Sequence, residues 1–133
     1  MKYLIDTQIL IWYQLNDKKL RADNLKLLKN RQNKIFVSQV TLFKIAIKQK
    51  LGKLPDLNVT IEKLIETIEN DDFEILSLKD GHLSRYTDIP LFEDHRDPFD
   101  RLILATALNE TMAVISADEK FKLYDSIVTV LGN

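Results

Sequence analysis

The sequence predicts an α/β protein with a central parallel sheet and helices on both of its faces. Three observations carry this expectation. Five short runs rich in β-branched or aromatic residues recur along the chain, amphipathic stretches separate them, and no tight hairpin signal joins one run to the next. At 133 residues the chain is long enough to bury a core without staples, and a single domain over residues 1–133 is expected.

Residues 2–5 read as a first buried strand that stops at Asp6, after which Ile9, Leu10, Trp12 and Tyr13 recur at helical spacing. A second amphipathic stretch, Asn24 to Asn30, leads into a second strand at Lys34 to Val37. Ser38 is placed to cap a helix from Gln39 to Leu51. Its apolar stripe reads as Val40, Phe43, Ile47 and Leu51, joined by Leu42, Ile45 and Ala46, and Gly52 closes it. Thr60 to Asn70 repeats the helical pattern, Phe73 to Leu78 reads as a third strand, and His82 to Tyr86 as a short helix. Asp88 to Arg96 is polar and loop-like. Asp97 followed by Pro98 then opens a helix that runs toward Asn109, because aspartate caps free amides and proline suits the first helical position. Met112 to Ser116 and Ile127 to Val130 read as the last two strands.

Composition narrows the function. Nineteen basic residues against twenty acidic ones give a net charge of -1, so any contact with nucleic acid must come from a local patch. The absence of cysteine removes thiolate metal sites and disulfides and points to the cytoplasm. The apolar run before Asp6 is too short for a signal peptide or a membrane span, so no membrane association is expected.

In parallel α/β sheets, ligands gather beyond the carboxyl ends of the strands. Asp6 and Asp118 fall just past two such ends, and Asp100 lies in the first turn of the helix opened by Asp97. Gathered together, these carboxylates offer hard oxygen ligands for a divalent ion. Each also has a simpler reading. Asp6 and Asp118 suit helix caps, Asp97 is accounted for as a cap by the Asp-Pro pair, and Asp100 favours the positive end of a helix. His95 is placed to contact phosphate, although an isolated loop histidine more often reads as exposed or structural, and His82 offers less still. Trp12 and Phe43 read as packing residues. Lys48, Lys50 and Lys53 read as a solvated helix face that could also attract phosphates.

Four ordered motifs make the pattern specific: Leu4-Ile5-Asp6-Thr7, the stretch from Ser38 through Leu54, His95-Arg96-Asp97-Pro98-Phe99-Asp100-Arg101, and Ser116-Ala117-Asp118 followed by Phe121 and Tyr124. With these the chain resembles the PIN-domain ribonucleases, in particular the VapC toxins of VapBC toxin–antitoxin pairs, over nearly its whole length. The resemblance implies a three-layer α/β/α sandwich with a central parallel sheet. It also implies a metal-dependent endoribonuclease that uses Mg²⁺ or Mn²⁺, an RNA substrate, a small inhibitory antitoxin and a homodimer. Asp6, Asp100 and Asp118 match the family's acidic positions as catalytic residues and metal ligands, and Asp97 matches a further aspartate of this subgroup and joins them as a candidate metal ligand.

Two positions depart from the pattern. Gln8 stands where a histidine is common, and Lys44 stands where relatives carry a glutamate. Two like charges about 4 Å apart repel by roughly 4 kcal/mol at an effective dielectric near 20, so a cluster of aspartates needs a cation. Lys44 either pairs with Asp6 or Asp100 and supplies that charge internally, or points away and leaves three aspartates for one metal. The first arrangement weakens metal binding and favours a rival reading, a non-catalytic fold that binds RNA or an antitoxin. A phosphatase-like hydrolase fits less well, because Asp6-Thr7-Gln8 lacks the second aspartate such enzymes commonly use.

Overall fold

The computed structural model describes residues 1–133. The strands are β1 (Lys2–Ile5), β2 (Lys34–Ser38), β3 (Glu74–Leu76), β4 (Ala113–Ser116) and β5 (Val130–Gly132). The helices are α1 (Thr7–Gln14), α2 (Ala22–Lys29), α3 (Gln39–Lys50), α4 (Ile61–Asn70), α5 (Asp80–Tyr86) and α6 (Pro98–Glu110), with a 3₁₀ helix over Glu119–Tyr124. All five strands are parallel, in the order β3-β2-β1-β4-β5.

Alternation along the strands feeds two cores, as period-2 side-chain geometry requires. Tyr3, Ile5, Ile35, Val37 and Ile115 point to one face, where Ile9 and Leu10 of α1, Leu42 and Ile45 of α3, and Leu64 and Ile68 of α4 cover them. Leu4, Phe36 and Val114 point to the other, against Ile103 and Leu104 of α6 and Phe121 and Tyr124 of the 3₁₀ helix. The result is the three-layer α/β/α sandwich that the sequence implies. No helix is long and apolar enough to cross a membrane.

Strand order locates the site. From β1 the chain builds outward through β2 and β3, then returns to the other side of β1 to lay down β4 and β5. The switch point therefore lies between β1 and β4, and parallel sheets open a crevice at the carboxyl ends of such a pair. Asp6 N–H donates to the Ile115 carbonyl at 3.1 Å, which locks the end of β1 to the end of β4.

Three sequence expectations shift. The last strand is Val130–Gly132 rather than Ile127 to Val130, because the Ile127 and Val128 amides both donate to the Tyr124 carbonyl and keep the chain in a turn. The third strand contracts to Glu74–Leu76. On α3 the apolar positions divide: Phe43 and Leu51 are 58% and 61% exposed, whereas Val40, Leu42 and Ile45, with Thr41, are buried. Leu42 and Ile45 reach the sheet, and Phe43 instead meets the Phe99 ring of α6 edge-on at 5.8 Å.

Candidate metal centre

Each acidic side chain reaches the crevice because a strand or a cap puts it there. Asp6 ends β1 and caps α1, with Oδ1 accepting from Ile9 N–H at 2.9 Å. Its Oδ2 accepts from the Ser116 hydroxyl at 2.6 Å and from Ala117 N–H at 3.0 Å. Ser116 Oγ in turn accepts from Asp118 N–H at 3.0 Å, so one hydroxyl ties the end of β1 to the loop that carries Asp118. Asp118 caps the 3₁₀ helix through Oδ1, which accepts from Lys120 N–H at 2.9 Å, and Oδ2 stays free of hydrogen bonds. Asp100, in the first turn of α6, is buried.

The cleft, about 330 Å³, is lined by Asp6, Asp100, Asp118, Lys44, Lys48 and Trp12, among others. The structure thus brings the three predicted aspartates together with Lys44 at one sheet edge. Asp97 does not line the cleft. Its Oδ1 caps α6 through Phe99 N–H at 2.9 Å, and its Oδ2 accepts from Lys44 Nζ at 2.8 Å. Lys44 Nζ also donates to Asp100 Oδ1 at 3.0 Å, so the ammonium bridges the two carboxylates. Of the two orientations open to Lys44 in the sequence, the fold adopts the paired one, with Asp97 and Asp100 as partners rather than Asp6.

His95 does not match its sequence reading as an exposed or merely structural loop residue. It is 4% exposed, Nε2 lies 3.1 Å from Asp100 Oδ2, and Nδ1 lies 2.7 Å from the Tyr124 hydroxyl. Arg101 of α6 holds the loop behind it by donating to the carbonyls of Phe92, His95 and Arg96. Two sequence signals were available: His95 lies five residues before Asp100 across a helix cap, and Tyr124 closes the motif begun by Asp118. His82 lies elsewhere, buried between α5 and α6, where Nε2 meets Glu110 at 2.8 Å and Nδ1 accepts from Lys79 N–H. Of Lys48, Lys50 and Lys53, Lys48 alone lines the cleft.

Electrostatics follow the contacts. Burial pushes the Asp6 carboxyl up to about 6; its hydrogen bonds from Ser116, Ile9 and Ala117 oppose that rise, and the Asp100 charge adds to it. Burial works against the Lys44 ammonium, but the hydrogen bonds and charges of Asp97 and Asp100 outweigh it and hold the lysine above its ordinary value. Burial also opposes charge on Asp97, yet the Lys44 hydrogen bond and charge prevail and hold it below the usual carboxylate range.

The donors fit a divalent ion in type and spacing. One ligand atom each from His95, Asp100 and Asp118 lies within 4.8 Å of the others. The His95 Nε2 distances are 3.1 Å to Asp100 Oδ2 and 4.0 Å to Asp118 Oδ2. Adjacent ligands of an octahedral ion stand about 3 Å apart and opposite ones about 4 Å, so both His95 distances fall within the reach of one ion. Asp6 borders the same cleft but is outside this compact group, and both its oxygens already accept hydrogen bonds.

The PIN domain family profile matches residues 3–127. No curated protein matches the sequence. Among solved structures, the chain is similar to one in VapBC2 from Rickettsia felis bound to a promoter DNA fragment, with 18% identity, 99% of this chain and 98% of that chain covered, and a TM-score of 0.67. It is similar to a chain of VapBC-1 from nontypeable Haemophilus influenzae, at 20% identity, coverage of 99% and 98%, and a TM-score of 0.66. A chain of VapBC-5 from Mycobacterium tuberculosis gives 18% identity, coverage of 98% and 96%, and a TM-score of 0.61.

Proposed function

The chain belongs to the PIN domain family, and from that premise we propose that it is a metal-dependent endoribonuclease, the toxin of a type II toxin–antitoxin pair, neutralised by a small antitoxin protein. The observation that carries this reading is the convergence of Asp6, Asp100 and Asp118 on one cleft at the β1–β4 switch point. The fold likeness to chains of three VapBC complexes adds support for the toxin assignment.

Asp100 and Asp118, with His95 beside them, would hold Mg²⁺ or Mn²⁺, and Asp6 would face the same volume from the end of β1. When bound, the ion supplies Lewis acidity toward a phosphodiester and a lowered pKa for an attacking water. The chain's own residues do the remaining work. Lys48, in the cleft lining, would offer a positive charge to the RNA backbone, offsetting a net charge that otherwise repels it. Ser116 and the Ile9 and Ala117 amides hold Asp6 in one orientation. Tyr124 holds the imidazole of His95 against Asp100. A homodimer and a cytoplasmic location belong to the same reading.

Incubation of purified protein with structured RNA, Mn²⁺ or Mg²⁺, and a chelator control tests it. Internal cleavage that depends on the ion and is lost in Asp118→Asn is the expected result. Cleavage unaffected by the chelator, or fully retained in Asp118→Asn, would refute it. One observation favours a second reading, a non-catalytic PIN fold that binds RNA or an antitoxin: the Lys44 bridge already neutralises part of the cleft. RNA binding without cleavage at saturating Mn²⁺ would select that alternative.

A further inference from the structure

We propose that Lys44 is a built-in counter-ion of the cleft, whose ammonium on Asp100 competes with a divalent ion for that carboxylate. This inference rests on the metal-binding reading of the cleft. The geometry supporting it is that the Lys44 ammonium sits on Asp100, whose Oδ1 accepts from Lys44 Nζ at 3.0 Å while Oδ2 faces His95 Nε2 at 3.1 Å. Asp97 is occupied in the same way, by the α6 cap and by Lys44 at 2.8 Å. The bridge is sheltered, with side-chain exposures of 17% for Lys44, 32% for Asp97 and 13% for Asp100, so solvent and salt screen it less than an open surface pair.

Two consequences follow from charge alone. The acidic cluster is partly neutralised without any metal, so the fold tolerates the ion-free state. An arriving ion also meets a like charge held 3.0 Å from Asp100 Oδ1, and takes that oxygen only by breaking a charge-assisted hydrogen bond, which weakens its binding. Lys48 lines the same cleft but makes no hydrogen bond or ion pair to the aspartates, so it carries the same charge without the same hold on Asp100.

That contrast supplies the control. Mn²⁺ binding is measured on the full chain by the decrease of the free-ion signal in electron paramagnetic resonance, for the wild type, Lys44→Met, Lys44→Gln and Lys48→Met, with circular dichroism to verify folding. Tighter binding by about tenfold or more in the folded Lys44 variants, with a much smaller gain in Lys48→Met, is expected. Two Lys44 variants are used so that a folding defect in one leaves the other to decide. Equal affinity in the wild type and the Lys44 variants would overturn the inference and leave the metal-dependent reading standing. Equal gains from Lys44→Met and Lys48→Met would overturn it as well, since overall charge would then be the cause. No binding in any of the four chains would overturn both the inference and the reading beneath it.

Discussion

The Tyr124 hydroxyl stands 2.7 Å from His95 Nδ1, on the far side of the ring from Asp100. Both residues are buried, and their rings also meet edge-on with centroids 5.4 Å apart. A hydrogen bond on one ring nitrogen sets what the other can do, so Tyr124 governs how His95 presents Nε2 to Asp100. The 3₁₀ helix after Asp118 therefore shapes the cleft from behind as well as from its rim.

Tyr124→Phe should preserve the fold while removing this control. The lost hydrogen bond leaves His95 Nδ1 without a partner in a dry setting, at a cost of about 1–3 kcal/mol. RNA cleavage and Mn²⁺ affinity should fall by about tenfold or more. Urea unfolding and Mn²⁺ titration of the same preparation check both; unchanged metal affinity would show that Tyr124 only packs.

Asp97 and Asp100 should separate cleanly. Asp97→Ala removes a helix cap and one arm of the Lys44 bridge, so stability should drop by about 1–2 kcal/mol. Cleavage should persist, because Asp97 does not line the cleft. Asp100→Ala should reduce cleavage by about a hundredfold or more. Paired thermal melts and cleavage assays test this, and loss of activity in Asp97→Ala with stability intact would reverse the assignment.

Asp6 should titrate near pH 6, since burial raises its carboxyl to about that value. Its unfolded value is about 3.9, so the folded state binds this proton more tightly. The associated stability, about 3 kcal/mol, is fully present below about pH 4 and is lost as pH rises through about 6. The stability of the wild type minus that of Asp6→Ala should therefore decrease over that interval. Carbon-13 NMR of the Asp6 carboxyl provides the direct measurement, and a midpoint below about 4.5 would contradict it.

Gly52 adopts φ 70° after α3, and a Cβ built there would meet nothing within 4 Å. Gly52→Ala should cost about 1 kcal/mol through backbone conformation alone, with cleavage unchanged. Chemical denaturation measures the loss; a neutral substitution would mean that the turn relaxes.

Local pattern made much of the fold legible. Alternation of short apolar runs with helical stretches implies parallel strands, and Asp97-Pro98 and Ser38 cap the helices where the sequence puts them. The exceptions arise where distant packing overrides period. Phe43 and Leu51 satisfy helical spacing, yet of the apolar positions on this helix the sheet receives Leu42 and Ile45 and leaves those two exposed. The Ile127 to Val130 run has strand composition, but its first amides are drawn back to Tyr124.

By itself the sequence determined the layered α/β architecture and the acidic residues at strand ends, because side-chain periodicity and capping act over a few residues. Only the tertiary structure decided that Lys44 reaches Asp97 and Asp100, 53 and 56 positions away, and that Ser116 meets Asp6 across 110. It also decided that His95 is enclosed rather than exposed. Such pairings depend on which strands become neighbours at the switch point, a long-range choice made by whole-core packing that no local stretch of chain encodes.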